Sequence, residues 1–303
     1  MNPFAALPAL RWLIRDTFRQ SLSAGAFWLM LAVSLACVLL CLTVTVVETS
    51  SDSGHLDLAF GAVQVPLAPG RAVAVRTLEG YLAGWIADGV GLLLTLMWTA
   101  SILPSFLDPG TAAVLLAKPV PRWGLLLGKC LGALAFVFVQ DTLFLGGTWL
   151  ALGLRTGIWD TTYLFCLPLL LLHFTVFFSF SAMLATATRS TTACVFGSIL
   201  FWLLCWATNL GRHAFLVLPD LQAAATGLGH SVELAYWILP KPLDCHLILT
   251  GALQDDSPLS HVINTQALTE HGAWQPAASL LASCLCAVVL LALAAYDFVT
   301  AEY

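Results

Sequence analysis

The chain has 303 residues, 59% hydrophobic and only 10% charged, against about 25% charged in an average soluble domain. Its formal net charge of -5 and isoelectric point near 5.7 offer no basic face, which excludes a nucleic-acid partner. Composition of this kind describes a protein that lives in a lipid bilayer, and the useful count is of apolar runs near 20 residues long.

The first 25 residues precede the first such run. In PALRWLIRDTFRQSL, Leu10, Leu13, Ile14, Thr17 and Phe18 recur at helical spacing, while Arg11, Arg15 and Arg19 fall four apart on another face. This predicts an interfacial elbow helix over 1–25, lying on the inner leaflet with its arginines toward the headgroups. A cleaved signal peptide is not expected, because the apolar run starts only after the position where cleavage would fall.

Six runs are long enough to cross a bilayer: about 27–47, 82–106, 130–153, 163–187, 192–210 and 277–299. They read as helices, since hydrocarbon leaves an open backbone unsatisfied. The predicted fold class is all-α: a polytopic membrane protein with six transmembrane helices forming a single transmembrane domain over 1–303. One side of the membrane then carries Arg11, Arg15, Arg19, Lys118, Arg122, Lys129 and Arg189, seven cations in 57 residues, against five in 109 on the other. The positive-inside rule predicts that both termini are cytoplasmic.

The loop between spans two and three, 107–129, reads FLDPGTAAVLLAKPVPRWGLLLGK from residue 106. Asp108 is placed to cap a helix whose first residue is Pro109. Residues 111–117 favour helix, and Pro119 and Pro121 forbid its continuation. The result is a short apolar helix carrying Leu115 and Leu116, followed by a stiff elbow, and such an exposed surface calls for a partner. GLLLGKC at 124–130 is not a phosphate loop: three residues separate its glycines instead of four, and Cys130 stands where a Ser or Thr is required.

The region 211–276 is expected to be an extracytoplasmic loop. Within it, HSVELAYWILPKPLDCHLIL holds an apolar run centred on 234–239 and stopped by Pro240 and Pro242. It is too short to cross and predicts an interfacial or re-entrant helix, with Tyr236 and Trp237 at headgroup level.

Three ionisable residues fall inside spans. Asp141 and His173, near mid-depth, are placed to pair across neighbouring helices; Asp88, only about two turns from the outer surface, is expected to snorkel. Inter-helix hydrogen bonding, lining of a translocation path and a proton relay all remain open for them. The nine cysteines lie almost entirely in spans and offer no disulfide framework. His55, His213, His230, His246, His261 and His271 fall on the outer side, and Cys245 adjoins His246. Their spacings match no ligand motif, so they are expected to be solvated and no metal site is predicted.

The interfacial helix, the six spans, SILPSFLDPGT at the end of span two, LLAKPVPRWGLLLGK after it and YWILPKPLD past span five together resemble the permease subunits of ABC-2-type exporters. The nearest likeness is to the NosY-like branch, described as permeases linked to multicopper-enzyme maturation. The resemblance implies that the loop after span two is a coupling helix docking on a separate ABC ATPase subunit. Asp108, Gly110 and Thr111 would start that helix, Leu115 and Leu116 would face the ATPase, and Lys118, Pro119 and Arg122 would form the elbow, with Lys129 at the mouth of span three. ATP and Mg would be bound by the partner, leaving no cofactor and no catalytic residue in this chain. A second permease chain, identical or not, would complete the pathway in a bacterial inner membrane, with Asp88, Asp141 and His173 as candidate path residues. The C-terminal YDFVTAEY departs from the basic cluster of many relatives. A proton-coupled secondary transporter and a passive membrane assembly factor are the alternatives; no G-x-S-x-G or H-E-x-x-H motif supports an intramembrane enzyme.

Overall fold

The computed structural model describes residues 6–23, 25–50, 53–66, 70–107, 121–217, 227, 229–253 and 274–300. Helix α1 (Ala6–Ser23) is followed by α2 (Gly25–Leu42), the two meeting at a 75° bend. Leu13, Thr17 and Ser21 of α1 are buried, and Arg11, Arg15 and Arg19 are exposed, so the amphipathic pattern read from the sequence sets which face packs inward.

The first apolar run divides where the sequence reading kept it whole. Helix stops at Leu42, and the β-branched stretch at 43–47 enters an antiparallel three-stranded meander of β1 (Thr45–Ser50), β2 (Ser53–Leu58) and β3 (Val63–Pro66). Its register pairs Thr45 with Asp57, Val47 with His55 and Leu56 with Val65. Val, Thr and Ile lose side-chain freedom in a helix and gain packing on a pleated surface, which explains the switch. The span that remains, 18 residues, is about 27 Å long and close to the hydrocarbon thickness.

The chain returns through α3 (Arg71–Gly80), a π-helical segment (Tyr81–Gly91), α4 (Leu92–Thr99) and α5 (Ile102–Phe106), together one long span. Next come α6 (Arg122–Thr156), a 3₁₀ turn (Thr161–Phe165) leading into α7 (Cys166–Thr188), and α8 (Thr191–Val217). Arg189 adopts a left-handed backbone (φ 53°) and closes α7 by donating its N–H to the Ala185 carbonyl. Helices α9 (Gly229–Ile238) and α10 (Pro242–Ala252) precede the last span, α11 (Pro276–Thr300). Among the described residues, five helical stretches are long and apolar enough to cross a membrane, and α1 with α2 makes a sixth if the bent pair counts as one. The protein is therefore an all-α polytopic membrane protein, with one small sheet capping the end of the bundle where α2 stops.

Long helix α6 is the hub. Gly132 lets Thr17 of α1 approach so closely that a Cβ would sit 2.6 Å from its hydroxyl, and Gly147 admits Val38 of α2, where a Cβ would lie 2.8 Å from Cγ2. Small residues at crossings are how membrane helices gain close packing, since lipid tails compete equally for apolar contact. Around Phe136 of α6 gather Phe18, Phe27 and Trp98, at ring-centroid distances of 5.0, 5.1 and 4.7 Å. At the sheet end, Arg155 donates to the Val44 carbonyl at 3.0 Å, joining the far turn of α6 to the start of β1.

At the opposite end, α6 begins at Arg122, directly after Pro121. Arg122 and Lys129 therefore belong to a helix, and not to the 107–129 loop in which the sequence reading put them. Arg122 donates to the Val299 carbonyl of α11 at 3.2 Å. Lys129 is buried, with its ammonium 2.7 Å from Asp16 and 3.1 Å from Gln20 of α1.

Candidate functional site

Among the described residues, three further sets of polar groups gather side chains from several helices. The first sits midway along the spans. The helix carrying Asp88 starts at Arg71, well before residue 82, so Asp88 lies at mid-length instead of near the surface and does not snorkel: it is 5% exposed. Its Oδ1 contacts Nδ1 of the buried His173 on α7. His173 thus pairs with Asp88 and not with Asp141, and Asp88 lies within the π-helical segment Tyr81–Gly91. Wide π turns recur at functional sites.

Helix α10 completes this set from an unexpected direction. Pro242 at its N-terminus suits a first-turn position with no N–H to lose, and the helix buries nearly all of 241–250 between the π segment, α7, α8 and α11. His246 Nδ1 comes within 3.5 Å of Asp88 Oδ2, and its ring meets Trp85 edge-on with centroids 5.6 Å apart. Gly84 makes the room: a Cβ there would be 2.8 Å from His246 Cε1 and 3.1 Å from Thr250 Cγ2. Cys245, expected in a loop, is buried beside His246.

Asp141 is half-buried on α6. It shares with Asp88 the lining of a void of about 10 Å³ that also meets Gly91, Thr95, Val137 and Phe174. That is close to the space of one water. A larger cavity of about 40 Å³ continues from Asp141 past Gln140 and Ser34 toward α2, and Gln140 donates to the Ser34 hydroxyl at 2.9 Å. The three ionisable residues singled out in the sequence are thus brought to one region, with Asp88 at its centre.

The second set centres on Asp244 of α10 and draws in residues of α8, α9 and α11. Its carboxylate accepts from Tyr236 at 2.5 Å and Ser279 at 2.6 Å, with His213 Nε2 at 2.6 Å. Burial alone would raise the Asp244 pKa, but these hydrogen bonds and the His213 charge outweigh it and leave the carboxyl below the usual range. Arg212 binds Glu233 through Nε at 2.8 Å and Nη2 at 3.2 Å and lies 3.9 Å from the Tyr236 ring centroid. Lys241 sits over the same ring at 4.7 Å, and burial pushes its pKa down to about 8 against the opposing pull of Asp244. His213 and His246 are therefore core residues, not solvated loop histidines: α8 runs to Val217 and α10 folds back into the bundle, where both imidazoles meet carboxylates. His230 is exposed and His55 partly so, while His261 and His271 lie outside the described residues.

The third set links spans near the sheet. Asp160 receives Arg76 at 2.7 Å and the Thr162 N–H at 2.9 Å, and its carbonyl accepts from Trp149 at 2.9 Å. Burial would raise the Asp160 carboxyl, but Thr162 and Arg76 together hold it below the usual range.

Of the residues expected to reach an ATPase, Asp108, Gly110, Thr111, Leu115, Leu116, Lys118 and Pro119 lie outside the described residues; only Arg122 is described. None of the curated proteins compared with the chain matches it significantly. The family model described as ABC-2 family transporter protein matches residues 11–303. That match covers all but the first residues of the interfacial helix, every span and the buried polar sets between them, and the chain accordingly belongs to the ABC-2 family of transporter proteins.

Proposed function

We propose that the chain is the permease subunit of an ATP-driven ABC-2 exporter, moving its substrate when a separate ATPase subunit closes on ATP. The family match over residues 11–303 carries this reading. The finer NosY-like assignment, both termini in the cytoplasm of a bacterial inner membrane, and pairing with a second permease chain belong to the same proposal. ATP and Mg are bound by the ATPase; the chain itself supplies no catalytic group.

In this reading, Asp108, Gly110 and Thr111 start the coupling helix, Leu115 and Leu116 press on the ATPase, and Lys118, Pro119 and Arg122 set its angle. The ties flanking it favour mechanical transmission. Arg122 is bonded to the end of α11, and Lys129, two turns on, is bonded to α1. A push on the segment before Arg122 reaches both helices through α6. Asp88, Asp141 and His173 would then line or gate the path.

A proton-coupled carrier is the second reading, favoured by the convergence of Asp88, His173 and Asp141 at mid-span. The deciding experiment is co-expression with the candidate ATPase and purification in mild detergent, comparing wild type with a Leu115→Asp, Leu116→Asp double variant. Retention by wild type and loss in the variant supports the permease; no retention by either, or equal retention by both, sinks the coupling assignment and favours the carrier.

A further inference from the structure

Among the described residues, one group of three metal-ligating side chains converges: Asp88, His173 and Cys245, all buried, with one donor atom from each within 4.8 Å of the others. They come from three separate elements, the π segment, α7 and α10. No sequence spacing relates them.

We propose that these residues form a binding site for a divalent transition-metal ion of the zinc class, which pins α10 to the two spans at the centre of the bundle. Donors around a tetrahedral zinc ion are about 3.3 to 3.6 Å apart, given Zn–S near 2.3 Å and Zn–N and Zn–O near 2.0 to 2.1 Å. With one donor atom from each within 4.8 Å of the others, the widest separation closes to that pattern by about 1.2 to 1.5 Å. One oxygen, one nitrogen and one sulfur donor exclude magnesium and calcium, which take oxygen shells. The hard carboxylate favours a borderline divalent ion over a monovalent soft one. Three protein ligands with an open fourth position describe a zinc site that retains an exchangeable place.

Other features of the neighbourhood agree. His246 Nδ1 lies 3.5 Å from the second Asp88 oxygen, where it can orient the carboxylate as outer partners of metal ligands do. Nε2 of His173 and Nε2 of His246 are buried with no hydrogen-bond partner, which is costly for two imidazoles serving structure alone. Gly84 is small where His246 needs space. Asp88 also lines the void of about 10 Å³ that it shares with Asp141, next to the cavity that reaches Ser34.

The test uses the full-length protein in detergent, stripped with a chelator and titrated with Co(II), then with Zn(II) in competition. The expected result is a near-ultraviolet thiolate-to-cobalt charge-transfer band, abolished by zinc, with about one zinc retained per chain after desalting. Cys245→Ser should remove the band and weaken zinc at least about a hundredfold, and His173→Gln should weaken it comparably. Cys284→Ser, in the last span, should leave both unchanged. Absence of the band in wild type overturns the site without reliance on any variant. Wild-type affinity in Cys245→Ser, or loss of the band in Cys284→Ser, overturns the ligand set.

Discussion

Replacing Asp16 by Ala isolates the tie between the interfacial helix and the hub of the bundle. Lys129 Nζ lies 2.7 Å from Asp16 Oδ2; the lysine side chain is 3% exposed and the aspartate 47%. Exposed pairs contribute about 0.2 to 1 kcal/mol, whereas removing one partner of a fully buried pair costs about 3 to 5 kcal/mol because an uncompensated charge stays behind. With one member buried, the other half in solvent, and Gln20 still accepting at 3.1 Å, the loss falls between these limits, at about 2 kcal/mol. For a chain of 303 residues that lowers the unfolding midpoint by about 3 °C. Lys129→Met should behave differently, since it removes the buried charge and leaves a chain of similar shape: its midpoint should stay within about 1 °C of wild type. The double variant should match Lys129→Met, because Asp16 then has nothing to neutralise. Thermal unfolding in one detergent, followed by tryptophan fluorescence, reads all three. Equal loss in both single variants, or none in Asp16→Ala, would refute the argument that α1 is held by compensation of a buried charge.

Further outcomes follow from the same geometry. Gly132→Val should cost about 2 to 3 kcal/mol by forcing α1 off α6, and Thr17→Ala should restore part of it, since the clash is with the Thr17 side chain. Gly84→Ala should cost about 1 to 3 kcal/mol in thermal unfolding through its contact with His246 and Thr250. Lys241 has a folded pKa of about 8 against an ordinary 10.5. Between those values the unfolded chain binds the extra proton, so this group's contribution to stability improves as pH rises from 8 to 10.5. The midpoint difference, wild type minus Lys241→Met, should therefore increase over that window; a flat or falling difference contradicts the assignment.

The spans were legible because long apolar runs have one outcome in lipid, and 163–187 and 277–299 lie within two residues of the helical stretches observed. The first run misled because hydropathy does not separate helix from strand, although the β-branched crowding at 43–47 carried the signal. Asp88 was placed too shallow because its helix continues through the moderately polar 71–81, which a hydropathy reading assigns to a loop. Pro242 was read as a stop, yet at a first helical position it is a start, and with that inversion α10, His246 and Cys245 were lost from the interior. The Asp88 and His173 pair could not be read at all, since the facing of two helices depends on π winding and tertiary packing.

In the proposed permease, the 107–129 coupling loop docks on an ATPase on the side of the membrane opposite the sheet. The most direct test of this docking is crosslinking in native membranes with a photoreactive amino acid at Leu115, and separately at Phe60, which is 92% exposed beside the sheet. The prediction is an adduct with the ATPase from position 115 alone, with a yield that changes when ATP is added. An ATPase adduct from position 60, or none from position 115 while the complex is intact, would contradict the assignment of this chain as the driven half of the exporter.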